Sequence, residues 1–178
     1  MGRGERGTAP PLDGAALERL ALRYAERYAT SRAKLSRYLL RKTRERGWDG
    51  KESEPPIEAI VTQMARLGYV DDRAFAAARA ETLSRRGLGA RRIAADLQAA
   101  GIGAEDSAGP CAQAEAEAFS AALTYARKRK IGPYAAVAAD RERRQRALGV
   151  MLRAGHPFDL ARKIVDTAPG EEVDPADR

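Results

Sequence analysis

The strongest constraint on the fold is a repeated way of stopping. From Ile57, apolar residues Ile60, Val61, Met64 and Leu67 recur at steps of three and four, and then Gly68 and a bulky Tyr69 follow. The stretch ending Ala100, Gly101, Ile102 closes in the same order. Steps of three and four mark one face of an α-helix. A glycine after the last apolar residue marks a helix end, because glycine enters the left-handed conformation without steric cost. A chain built of such units folds as short helices joined by tight turns, and no strand pattern competes with this reading.

The same pattern predicts helices near Ala15–Tyr28, Ser31–Arg46, Pro56–Leu67, Asp72–Arg86, Ala90–Ala100, Ala114–Lys130, Asp140–Ala154 and Pro157–Ala168. Between Gly103 and Gln113 the Gly109-Pro110 pair and the lack of branched aliphatics predict a short, frayed helix or a loop. The nine slots group in threes. The expected architecture is all-α, with three tandem three-helix repeats forming an elongated, curved molecule. The boundaries read as a disordered arm at 1–14, repeats at 15–70, 71–113 (its third helix degenerate) and 114–168, and a disordered acidic tail at 169–178. Much of the 44% hydrophobic share is alanine, a strong helix former and a poor core filler, which suits slender packings rather than one thick core.

Residues for chemistry are scarce. His156 is the sole histidine and Cys111 the sole cysteine of the 178 residues. Neither can assemble a metal site or a nucleophile with its base, and no phosphate-cradling GxxxxGK[ST] loop occurs. His156, before Pro157, reads as a turn or capping residue. Asp71-Asp72 reads as a helix cap rather than a pair of metal ligands. No enzyme, cofactor or metal is therefore expected. There is no secretory apolar segment and no run long enough to span a bilayer, so a cytoplasmic protein with no membrane partner is expected.

What remains is surface. The formal charge is +7 and the isoelectric point about 9.8, pointing to an anionic partner. Basic candidates cluster in each set: Arg41 and Lys42; Arg79, Arg85, Arg86, Arg91 and Arg92; and Lys128, Arg129, Lys130, Arg143 and Arg144. Four cations near the start of the Asp140–Ala154 helix oppose its dipole, so helix stability does not explain them. Tyr38, Trp48, Tyr125 and Tyr134 are thinly spread candidates for base stacking, which argues against stacking as the main mode. The segment Asp72–Ala100 also fits a helix-turn-helix, leaving a direct DNA-binding protein such as a transcription regulator as an alternative.

The stretch YVDDRAFAAARAETLSRRGLGARRIAADLQAAGI resembles the central block of the RecX family. The matching residues include Asp71, Asp72, Phe75, Arg79, Arg85, Arg86, Gly87, Gly89, Arg91, Arg92, Ile93, Leu97, Gly101 and Ile102. SRAKLSRYLLRK at 31–42 is similar to an upstream family block, with Lys34 where the family has Glu. RRQRALGVMLRAGHPFDLARKIVD at 143–166 is similar to its closing block, with Ala154 in place of an Arg. The resemblance covers about residues 15–168. It implies a monomeric, non-enzymatic regulator of recombination and DNA repair. Such a protein would bind the RecA filament on single-stranded DNA, inhibit its ATPase, strand exchange and growth, and in some cases touch single- or double-stranded DNA itself.

Overall fold

The computed structural model describes residues 10–174. Among them the chain forms nine α-helices and one 3-10 turn, and its one β feature is an isolated bridge between Leu12 and Trp48. The helices are α1 (Gly14–Arg27), α2 (Arg32–Arg46), α3 (Ile57–Arg66), α4 (Asp72–Arg85), α5 (Ala90–Ala99), α6 (Ala104–Ala116), α7 (Ala118–Arg129), α8 (Arg141–Arg153) and α9 (Phe158–Asp166), with the 3-10 turn at Gly132–Tyr134. The chain divides into two compact units between Phe75 and Ala76, within α4.

The expected stops are one device used five times. After α3, the Tyr69 amide donates to the Met64 carbonyl and the Gly68 amide to that of Ala65. The same crossed pair of bonds follows α4 at Gly87 and Leu88, α5 at Gly101 and Ile102, α7 at Lys130 and Ile131, and α8 at Gly155 and His156. This is the Schellman arrangement, which satisfies the last carbonyls and folds the next side chain back onto the helix. Lys130 takes the left-handed position that glycine holds in the other four, with φ 55°.

In the first unit Leu17, Leu35, Leu39, Ile60 and Met64 of α1–α3 form the core, closed at one side by Leu12. Ser31 caps α2, its hydroxyl accepting from the Lys34 amide. Asp71 caps α4 by accepting from the Ala74 amide, while Asp72 accepts from the Arg32 amide at the start of α2. The two carboxylates are thus helix caps, one local and one long-range.

In the second unit glycines bring backbones together. A side chain on Gly155 would meet the Arg92 amide nitrogen at 2.4 Å, and one on Gly87 would meet that of Tyr125 at 2.7 Å. The Gly89 amide donates to the Ala154 carbonyl at 2.9 Å. The turn between α4 and α5 is therefore pressed against α7 and the end of α8.

Four sequence expectations change. The short, frayed helix or loop expected between Gly103 and Gln113 is the thirteen-residue helix α6, with Pro110 inside it. An interior proline costs about 3 kcal/mol, but the alanine-rich sequence and Glu105 and Asp106 in the first turn favour the helix. The helix expected from Ala114 is accordingly two, broken at Glu117. The arm expected to be disordered through residue 14 is in place from residue 10: Leu12 is fully buried and the Arg46 guanidinium donates to the Pro10 carbonyl. The tail expected to be disordered from residue 169 packs Val173 into the core of α7–α9, and the Gly170 amide donates to the Pro133 carbonyl. The rest of those two segments, 1–9 and 175–178, lies outside the described residues.

His156 lies in the turn after α8, as expected, and is fully buried at the position that Ile102 and Ile131 hold after their helices. Neither ring nitrogen has a hydrogen-bond partner among the described residues, and the ring packs on Tyr125 with centroids 5.5 Å apart. Burial lowers its pKa below the ordinary 6.5, with the nearby Gly87 backbone opposing part of the shift.

These ends generate two stability predictions. Replacing Lys130 by Gly relieves a left-handed conformation that costs a side-chain-bearing residue roughly 1–2 kcal/mol, less the greater chain entropy of glycine. Lys130→Gly is expected to raise the thermal midpoint by a few degrees in calorimetry. Gly155→Ala adds that strain to a backbone collision and is expected to lower it by more. The second concerns acid. The unfolded chain takes up a proton on His156 that the folded chain refuses, so stability is full above pH 6.5 and is lost as pH falls below it. Denaturation curves across pH 7.5 to 5 are expected to show that decline in the wild type and a flatter profile in His156→Leu.

Candidate partner-binding surface

The structure brings most of the basic candidates to three places. In the first unit, Arg41 and Lys42 of α2 share the Glu45 carboxylate, at 2.9 and 2.6 Å. Lys42, then Arg41, lowers the pKa of Glu45 by hydrogen bonding to its ionised form. These two cations are matched by one local anion, in solvent, where such pairs contribute little.

A second group surrounds a small hollow of about 260 Å³ beside the 3-10 turn, lined by Lys130, Arg143 and Arg144 with Val137 and Ala147. Three of the four α8 cations that sequence reasoning could not attribute to helix stability have partners here. Arg143 lies 3.7 Å from Asp140, which caps α8, and Arg144 donates to the Ala139 carbonyl and approaches Asp166 at 4.0 Å. Arg146 pairs with Glu142.

The third place is an open groove of about 800 Å³ in the second unit. Leu83, Leu88, Val150 and Ala154 contribute to its wall, with the ring of Tyr125. Six cations line it: Arg79 from α4, Arg86 from the following turn, Arg92 from α5, Lys128 and Arg129 from α7, and Arg153 from α8. The close approach at Gly87, Gly89 and Gly155 is what brings these elements to one groove.

Asp96 is the one carboxylate in the lining, and it is held by Arg79 in a two-point contact of 2.6 and 3.0 Å between α4 and α5. That hydrogen-bonded anion raises the Arg79 pKa further, fixing its charge. Lys128 donates to the Arg85 carbonyl at 2.9 Å, and the Arg129 guanidinium lies 5.5 Å from the Tyr125 ring centroid. Arg86, Arg92 and Arg153 make no ion pair with the described residues.

Helix ends supply the competing explanation for such charge. The α4, α7 and α8 C-termini each carry about −0.5 of an elementary charge, or about −1.5 together. Six cations less Asp96 leave +5. An excess of about +3.5 remains after the dipoles are counted, so helix stabilisation does not account for the groove.

Arg85 and Arg91 do not line this groove. Arg85 faces a neighbouring hollow with Ala77 and Ala80 and pairs with Glu81 at 3.1 Å, and Arg91 is exposed on α5. Arg153 and Tyr125 do belong to it. Arg153 was not among the sequence candidates because it stands alone in an apolar stretch, away from any basic run. Its position at the end of α8, directly before the Ala154-Gly155 stop, is the signal that places it.

No cluster of three or more His, Cys, Asp or Glu that could hold a metal occurs among the described residues, and no described helix is long and apolar enough to cross a membrane. Burial, and then Glu115, pushes the Cys111 thiol above its ordinary pKa, which disfavours the reactive thiolate.

Comparison with known proteins agrees with this reading of the fold. The family model described as RecX, second three-helix domain, matches residues 71–108, which hold α4, α5 and the start of α6. The regulatory protein RecX of Myxococcus xanthus is 35% identical over 174 residues, covering 93% of each chain. That of Agrobacterium fabrum is 29% identical over 138 residues, covering 76% of this chain and 74% of its own. Among solved structures, RecX from Lactobacillus salivarius aligns with a TM-score of 0.58 at 16% identity, covering 85% of this chain and 93% of that one. A second crystal structure of a regulatory protein RecX aligns with the same score at 20% identity, covering 86% and 73%. These two show the shared helical fold. The extent and identity of the Myxococcus match place this chain in the RecX family of regulatory proteins.

Proposed function

We propose that the protein regulates homologous recombination and DNA repair by docking on the RecA filament assembled on single-stranded DNA, and that docking inhibits its ATPase, strand exchange and growth. The observation that carries this reading is the groove of the second unit, whose six cations outnumber the single lining carboxylate and the dipoles of the helix ends. A surface with that excess grips a polyanion. Membership of a family of regulatory proteins fits a molecule that acts by binding. The protein acts as a monomer in the cytoplasm, without cofactor, and its three-helix sets present separate contacts to an extended partner. Arg86, Arg92 and Arg153 make the principal contacts, while Arg79 is partly committed to Asp96.

The double variant Arg86→Glu/Arg92→Glu reverses two groove charges on exposed side chains. It is expected to inhibit RecA ATPase on single-stranded DNA at least tenfold less well, with unchanged helicity by circular dichroism. Arg41→Glu/Lys42→Glu, on the first unit, is expected to be far less impaired. Full inhibition by the groove variant contradicts the reading. Tight sequence-selective binding of duplex DNA without RecA favours the direct DNA-binding alternative.

A further inference from the structure

One residue of the basic groove runs against its charge. Asp96 is the single carboxylate among six lining cations. It sits in the last turn of α5, where the helix dipole disfavours an anion. Its carboxylate reaches across to α4 and occupies two donors of the Arg79 guanidinium, Nε at 2.6 Å and Nη2 at 3.0 Å. Arg92, one turn earlier on α5 and also in the groove, is left without an ion pair to the described residues.

Folding stability is a weak reason for this pair. Helices α4 and α5 have apolar anchors of their own in Leu83, Ile93 and Leu97, all buried. The Arg79 and Asp96 side chains are 38% and 23% exposed, so water reaches both and the bridge adds little to the fold. Binding gives a stronger reason. The two donors that Asp96 holds are those that an incoming anion would take in the same two-point fashion. Asp96 is thus an internal stand-in for the partner's charge. Once displaced, it stays beside the newcomer and repels whatever charge lies within a Debye length, about 8 to 10 Å. A compact polyanion brings all its charge inside that distance. An extended anionic surface brings one group there and sets the rest against Arg86, Arg92, Lys128, Arg129 and Arg153.

We propose that Asp96 is the specificity-determining residue of the groove: by competing for the Arg79 fork it makes the groove favour an extended anionic surface over compact anions. The inference rests on the proposed function and adds a selective element to the same site. Asp96 is a positioning residue, acting through Arg79. It weakens docking on the partner a little and the capture of small polyanions more, so the groove is kept clear for the assembly it serves.

The test uses the full chain and two probes: RecA filaments on single-stranded DNA, and sodium tripolyphosphate titrated calorimetrically into the protein alone. Asp96→Asn is expected to tighten filament binding about 2- to 5-fold and tripolyphosphate binding about 10-fold or more. Asp96→Ala, which cannot hold Arg79, is expected to do the same. Glu81→Gln removes one negative charge from α4 outside the groove, where Glu81 pairs with Arg85, and is expected to change neither. Equal gains for the two probes, no gain for either, or no tripolyphosphate binding by either Asp96 variant overturns the proposal. So does a gain from Glu81→Gln equal to that from Asp96→Asn, which would reduce Asp96 to one unit of net charge. Weaker filament binding by both Asp96 variants would mark the pair as a structural bridge and overturn it too. Arg86→Glu/Arg92→Glu is measured in parallel. If that variant docks as the wild type does, the groove reading has failed; if it does not dock and Asp96→Asn behaves as the wild type, only the selective role of Asp96 has failed.

Discussion

Backbone contact without intervening side chains is the constraint on which the second unit depends. The turn at Gly87-Leu88-Gly89 lies against the α7 backbone and the Gly155 stop at distances that no Cβ would permit. With the Gly89 amide bonded to the Ala154 carbonyl, this contact holds together the end of α4, the start of α5, the middle of α7 and the end of α8. Cations on these elements then face one groove. A chain of this composition has few large side chains to fill thick gaps, so its elements meet closely and small residues set the geometry.

Electrostatics decides which of the basic residues remain to act on a partner. Several helical arginines outside the groove have answers nearby: Arg41 in Glu45, Arg85 in Glu81, Arg143 in Asp140 and Arg146 in Glu142. These are surface pairs and add little stability, but they show that basic residues in the sequence are not equivalent. The groove differs because its one acid is already engaged and its helix ends offset only part of the charge. Recognition by such a surface is strong in charge and modest in shape, which suits a long, repetitive anionic assembly better than a small ligand.

The fold was legible where one side chain or one glycine decides the local outcome. The stripe of Ile57, Ile60, Val61 and Met64 buries as its spacing indicates, and Ser31 and Asp71 cap their helices. The stops at Gly68 and Gly101 were likewise legible, but the burial of His156 after the Gly155 stop was not, because Tyr69 at the same position after Gly68 is exposed. What was not legible is collective. Helix α6 forms because alanine content and first-turn acids outweigh Pro110, a balance that residue types alone do not settle. Leu12 and Val173 lie in segments whose composition reads as disordered, yet each finds a core waiting. The site was less legible than the fold. Basic runs identified cations but not their partners, so Arg85 and Arg91 looked like Arg86 and Arg92. Arg153 was invisible because its companions come from other helices, and Tyr38 meets Tyr24 only once α1 and α2 pack.

The central claim is that uncompensated charge in the groove is the grip. It is tested most directly by the salt dependence of binding to RecA filaments on single-stranded DNA, compared between the wild type and Arg153→Gln. Arg153 is exposed, without an ion pair among the described residues, and part of the groove only in three dimensions. The account predicts weaker binding and a shallower dependence on the logarithm of salt concentration, by about 0.7 for each single-strand phosphate that the variant no longer neutralises. An affinity and slope identical to those of the wild type would contradict it.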